Sequence, residues 1–472
     1  MKPITRIVNS IHFKHAAMPI CGVLGASMSL CQWMGVAFAG LIMLCAPARG
    51  ADRQADTEEM TQAKFQSTYV WQRKPAFAAA YSGANSLSPD LEKRSYTLSA
   101  TAFLGARLWQ GGELYFNPEM IMSQSLSNLT GLGGLSNGEN QKGGGPNPIF
   151  YTARLFVRHT WGFGGGQDKI ESAPNQMSGQ IDKHRLVLTV GKIALTDIFD
   201  NNSFSHDPRT QFLNWSIMTY GAFDYAANSR GYTDGVALEY YRDDWAFRAG
   251  RFEQPIDSNG LTLDSRIMAH HGDQVELEHD HEISGQPGRL RLLAFRNEAS
   301  MGRFQDALNF WNSHGRARVP DVGNVRKDQS KTGFGVNLEQ NITRDIGLFM
   351  RLSRNDGGTE TYAFTEIERS FSGGILAKGN AWGRPDDTAG ISYAQNGLSS
   401  VHQQYLANGG LGFFIGDGKL NYQPEKILEG FYSLGVAKDA SFSLDYQYIV
   451  NPAYNQDRGP VSIFGARMHV EF

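Results

Sequence analysis

Cysteine is almost missing from this chain. There are three, Cys21, Cys31 and Cys45, all among the first fifty residues. Beyond them no thiol is left to form a disulfide, bind zinc or act as a nucleophile. Long apolar runs are missing too. Hydrophobic residues make up only 41%, too few for a bundle of membrane helices. An excess of positive charge is absent, with 44 Lys and Arg against 47 Asp and Glu, so nothing favours nucleic acid. Catalytic and metal motifs are scarce as well. His279-Asp280-His281 has no third ligand nearby in sequence and reads as a wet strand end, as does His270-His271. Gly131 to Gly145 is glycine-rich but no P-loop Lys-Ser/Thr follows it, so a flexible outer loop is expected. No Ser-His-Asp order stands out. No cofactor, metal or enzymatic activity is expected.

The one long apolar stretch is N-terminal. Lys2, Arg6 and Lys14 precede the apolar core Trp33 to Cys45, and Ala46-Pro47-Ala48 offers a cleavage signal, with Gly50 a second option. Residues 1–50 therefore read as a secretory signal peptide, with a retained anchor as the alternative. The lead is long, so translation could start at a later Met such as Met18. Cleavage after Gly50 would remove four cations and no acid, taking the formal net charge from -3 to -7.

What the chain does have is alternation. Glycine numbers 53 and aromatics reach 11%, a composition that suits turns and interfacial girdles. At the C-terminus Phe464, Ala466, Met468, Val470 and Phe472 alternate with Ile463, Gly465, Arg467, His469 and Glu471. Period two marks a strand with two unlike faces, here one for lipid and one for water. The same pattern recurs, for example at Leu98 to Leu108, Leu114 to Met122, Ala153 to Val157, Leu186 to Val190 and Ile346 to Leu352. Short connections such as Arg242 to Asp244 mostly alternate with long ones such as Ser123 to Asn147, Ala194 to Tyr232 and Asn396 to Pro424. This predicts an all-β fold, a transmembrane antiparallel barrel of about 16 strands with short periplasmic turns and long outer loops. The first strand is expected over Phe65 to Gln72. Strands 12 and 13 fall around Phe364 to Phe371 and Ala389 to Gln395. Residues 51–64 become a short periplasmic segment and 65–472 the barrel. Pro118 lacks a ladder donor and should mark a bulge.

Alternation also assigns the lumen. Glu113, Asn117, Glu119, Arg154, Arg158, Arg185, Glu239, Arg248, Arg291, Glu339 and Arg351 are expected to line the pore and meet sugar. An Arg turned to lipid at midplane would cost about 2–4 kcal/mol. The segment Ala194 to Tyr232 joins the fifth and sixth strands, where general porins fold a loop inward. It is expected to be the constriction loop, with Asp197, Asp200, Asp207, Arg209 and Trp215 as its working groups. Trp215 could face a sugar or pack the loop to the wall.

Several stretches resemble the carbohydrate-selective porin family of the OprB type. They include Arg107 to Glu119, Tyr151 to Arg158, Thr196-Asp-Ile-Phe-Asp200, His206 to Trp215, Gly221 to Ala227, Trp382-Gly-Arg-Pro385, Gly412 to Gly418 and Asn451 to Asn455. The resemblance implies a 16-stranded barrel and passive diffusion of small, glucose-like sugars into the periplasm. Expected partners are small sugars, outer-membrane lipid and lipopolysaccharide, and the barrel-assembly machinery. The sequence leaves monomer and homo-oligomer both open. The rival readings are an outer-membrane enzyme and a surface polysaccharide-binding protein.

Overall fold

The computed structural model describes residues 58–472; the expected leader lies outside them. The strands are β1 Thr61–Lys74, β2 Glu92–Trp109, β3 Gly112–Gln124, β4 Ile149–Gly162, β5 Gln167–Ile170, β6 Gly179–Asp182, β7 Arg185–Ile193, β8 Thr233–Arg242, β9 Trp245–Glu253, β10 His271–Ile283, β11 Gln286–Met301, β12 Lys327–Asn341, β13 Ile346–Asn355, β14 Arg369–Lys378, β15 Thr388–Gly397, β16 Glu425–Ala437, β17 Ala440–Val450 and β18 Val461–Glu471. All but β5 and β6 form one closed antiparallel barrel, so sixteen strands make the wall. β5 and β6 form a separate hairpin, and β4 pairs directly with β7. β1 closes on β18, with Phe65 and Phe472 exchanging backbone hydrogen bonds at 2.8 and 3.0 Å. Closure leaves no strand edge unpaired, as hydrocarbon demands.

The barrel is inside-out relative to a soluble domain. Val190, Phe247, Leu292, Ile391 and Leu444 point outward and are exposed, whereas Arg291, Arg351, Glu276 and Glu429 point inward and are buried. Outward apolar side chains suit lipid. Inward charges are covered by the chain's own loops, since a sixteen-stranded wall encloses a space far wider than side chains fill. Four long loops enter it: residues 125–148, 194–232, 356–368 and 398–424. They carry a core of their own inside the lumen, including Phe199, Phe212, Ile217, Phe223, Phe364 and Phe414.

The structure corrects three expectations. The first strand starts at Thr61, so part of the 51–64 segment belongs to the wall. The strand expected from Phe364 begins only at Arg369. Phe364 lies instead in an inward loop, 5.1 Å from the Trp215 ring and 4.7 Å from that of Tyr225, centroid to centroid. The connection after β14 is correspondingly shorter, residues 379–387. Thirdly, Gly131 to Gly145 is no slack outer loop: Leu132, Leu135 and Asn137 are buried. Gly131 sits at φ +86°, where a Cβ would come within 1.7 Å of the Leu87 backbone nitrogen. Gly131, Gly133, Gly134 and Gly138 serve close approach. The register does shift between Asn117 and Pro118, a bulge where proline interrupts the ladder.

Candidate functional site: a constriction built by inward loops

The loop 194–232 crosses the lumen from β7 and β8 to the opposite wall. Asp200 holds it there. Its carboxylate accepts from Arg351 Nε at 2.8 Å, Asn337 Nδ2 at 2.6 Å, Thr219 Oγ1 at 2.6 Å and the Tyr220 N–H at 2.8 Å. Arg351 also donates to the carbonyls of Ile217 and Ser205. Glu339 accepts the Ser203 N–H at 2.6 Å, Glu276 that of Asp200 at 2.8 Å, and Glu429 those of Leu213 and Asn214. Arg467 caps the Pro208 and Gln211 carbonyls at 2.6 and 2.7 Å. Loop backbone far from water needs such partners.

The other inward loops are gripped the same way. Glu425 accepts from Gly133 at 3.0 Å, Gly134 at 2.7 Å and Ala453 at 2.9 Å. Asp224 takes the N–H groups of Tyr362, Ala363 and Phe364 at 2.9, 2.8 and 2.9 Å, plus the Lys331 ammonium at 2.7 Å. Glu366 takes those of Phe414 and Ile415 at 2.8 and 3.0 Å.

A cavity of about 120 Å³ lies between these loops and the inner wall of β2–β4. From the wall come Glu119 and Arg154; from the loop 194–232 come Arg209, Trp215, Arg230 and Tyr232; from the loop 125–148 come Glu139, Gln141 and Lys142. Arg209 bridges Glu139 at 3.0 Å and Glu119 at 3.6 Å. Glu119 also accepts from Thr101 at 2.6 Å, Tyr232 at 3.1 Å and Tyr151. Arg154 makes a two-pronged bond to Asp197, 2.6 Å on each prong, and its guanidinium lies 5.3 Å from the Tyr232 ring centroid. Trp215 donates to the Asn137 carbonyl at 2.7 Å and stacks on Phe364 with 6° between ring planes. One indole face is therefore given to packing.

The residues expected from sequence thus separate. Glu119, Arg154, Arg209 and Trp215 meet at this cavity, with Asp197 behind Arg154. Asp200, Glu339 and Arg351 face inward but are used beneath the loop. Asp207 orders the turn before Arg209, accepting its N–H at 2.9 Å. Arg248 and Arg291 form a ladder along the wall, Arg248 with Glu239, Glu276 and Glu278 at 3.3, 3.0 and 3.1 Å, and Arg291 with Glu278 and Glu339. Arg185 stacks on Tyr241 at 3.8 Å near the short-turn end. Asn117 and Arg158 lie below the cavity, held by the segment 171–178; Glu113, lower on the same strand, accepts from Tyr115 at 2.9 Å and pairs with Arg107 at 3.4 Å. Sequence reasoning missed Glu139, Gln141, Lys142 and Tyr232. The first three end a glycine-rich stretch whose direction no periodicity reveals. Of the histidines, His279 packs on Trp245 and His281 meets Gln340. Among the described residues no three His, Cys, Asp or Glu stand close enough for a metal.

The sequence matches the model of the carbohydrate-selective porin family, OprB, over residues 98–472. The chain belongs to this family. A high-pH structure of Pseudomonas putida OprB shares 15% identity at a TM-score of 0.67, covering 93% of this chain and 97% of that one. A loop-deletion mutant of Vibrio cholerae OmpT gives 11% and 0.46, covering 88% and 100%. Pseudomonas aeruginosa OccK2 gives 10% and 0.43, covering 87% and 97%. The first of these shows the same fold. A search of curated protein sequences finds no significant match. The protein is a carbohydrate-selective porin of the bacterial outer membrane. In such barrels long loops usually face outward and short turns face the periplasm.

Lys142 is the odd cation of this cavity. Its ammonium donates to Asn259 Oδ1 at 2.6 Å and to the Ala363 carbonyl, with no carboxylate in contact. Burial, the largest influence, pushes it down to about 7 against the pull of Asp224 and Glu366. The charge is present below that pH and lost above it. Reversal potentials in a KCl gradient should therefore shift toward cation selectivity as pH rises from 6 to 8. In Lys142→Met the shift should vanish.

Proposed function

We propose that this porin passes single pyranose rings, glucose-like in size, and that the constriction around Arg209 recognises them. One observation carries the reading. Two carboxylates, three guanidinium groups, amides and aromatic rings converge on one cavity. Sugar hydroxyls both give and accept hydrogen bonds, so they need both kinds of partner. Tyr232 and Trp215, which line the cavity, would offer apolar surface to the C–H face of the ring. Bridged on both sides, Arg209 keeps its geometry as sugar exchanges with water. The chain would act as a channel with no chemical step. Export through a cleaved leader, contacts with lipopolysaccharide and recognition of the last strand by the barrel-assembly machinery belong to the same reading. The Phe65–Phe472 pairing supports the last point.

Purified porin in liposomes should admit glucose much faster than a trisaccharide, and Arg209→Ala should blunt that difference while the barrel still forms. Equal rates for all sugars in the wild type would reject selectivity. No flux at all would favour a surface polysaccharide-binding role, and released sugar products an enzyme.

Removal of Phe472 should lower the amount of porin in the outer membrane and leave periplasmic aggregate. Undiminished outer-membrane levels with normal heat-modifiable gel mobility would contradict a role in assembly.

A further inference from the structure

Four connections at the periplasmic end are minimal: residues 110–111, 243–244, 284–285 and 438–439. The connection of β4 to β7, residues 163–184, is far longer and behaves differently. It makes the hairpin β5–β6, and the hairpin's tip returns into the barrel. Arg158 donates to the Asn175 carbonyl at 2.9 Å, and Asn117 Nδ2 to Asn175 Oδ1 at 2.9 Å. Gln62 Nε2 donates to the carbonyls of Ala173 and Gln176 at 3.0 and 2.8 Å. Met177 is buried, and its N–H meets Tyr115 Oη at 3.3 Å. Strands β1, β3 and β4 thus hold the tip by inward-facing side chains.

Its position matters more than its contacts. Asn117 pairs in register with Arg154, which with Glu119 forms the wall of the constriction. Glu119 is two residues further along β3, about 7 Å at ~3.4 Å per residue. The tip therefore sits on the same wall as the cavity, one step nearer the periplasm. Solute leaving the constriction along β3 and β4 meets it next. Ordinary loop slack does not explain this, because the tip is fixed by five polar contacts and a buried methionine.

We propose that residues 171–178 form a second constriction, a floor beneath the first, which limits the size of sugar that can leave for the periplasm. This rests on the chain being a pore, but not on which sugar it prefers. Two constrictions in series make conductance and sugar cut-off depend on both. A linear oligosaccharide threading the upper one end-on would have to bend at Asn175.

Two variants test it in planar bilayers and liposomes. In the first, residues 164–183 are replaced by Asn-Gly. Phe163 and His184 already share a backbone hydrogen bond at 2.8 Å, and Asn-Gly suits a two-residue hairpin. Single-channel conductance should rise severalfold, and a trisaccharide excluded by the wild type should enter. Wild-type conductance with the wild-type cut-off would overturn the proposal. In the second, Gln176→Cys is made on the exposed turn of the tip, in a chain with no cysteine beyond Cys45. A bulky methanethiosulfonate added from the periplasmic side should cut its current and leave the unsubstituted porin unchanged. Complete labelling without loss of current would overturn the proposal even if the shortened variant failed to fold. A wild type that conducted no ions would overturn the pore reading and this floor together.

Discussion

The lumen of this porin depends on carboxylates that each accept several backbone N–H groups. Loops folded into a barrel lose water on all sides, and each unpaired buried N–H or C=O costs about 1–3 kcal/mol. Here the wall answers that need. Glu425, Glu429 and Glu339 reach inward from strands, and Arg351 and Arg467 cap the carbonyls that remain. Asp200, Asp224 and Glu366 do the same from within the loops. Charged hydrogen bonds are the stronger kind, and a buried charge left without them would be strongly destabilising. The anchors and the loops therefore require each other.

That constraint divides the inward charges into two populations. Those on β9 to β13 are consumed in the wall ladder and beneath the loop 194–232. On β3 and β4, Glu119 and Arg154 line the cavity, Asn117 and Arg158 are held by the segment 171–178, and Glu113 pairs with Arg107. The cavity and the hairpin tip both lie along that wall.

Sequence carried the barrel well and the lumen poorly. Lipid outside and polar groups inside force strict alternation on a strand, and Leu292 beside Arg291 leaves no doubt about facing. Alternation says nothing about what covers a residue from within. Arg351 and Arg154 read alike in sequence, yet one lies beneath a loop and the other lines the cavity. Phe364 to Glu368 imitated a strand because a loop buried among aromatic rings needs apolar residues too. The glycines from 131 to 145 looked like slack, whereas close approach to Leu87 and Ser216 requires Gly131 and Gly134. Ala194 to Tyr232 was legible as an inward-folded loop from its length and its specific polar groups. The tip at 171–178 gave no signal, since its anchors are wall residues shared with every other inward role.

The central claim is that buried carboxylates hold the loops in place and thereby set the pore. Asp224 offers the most direct test, because it holds three consecutive N–H groups of one loop and lies outside the wall. In Asp224→Ala, hydrogen exchange at Tyr362, Ala363 and Phe364 should accelerate by an amount equivalent to about 2 kcal/mol or more. Channel current should become larger and noisier, while the barrel keeps its heat-modifiable mobility. Unchanged exchange at these three amides, with wild-type conductance, would contradict the account.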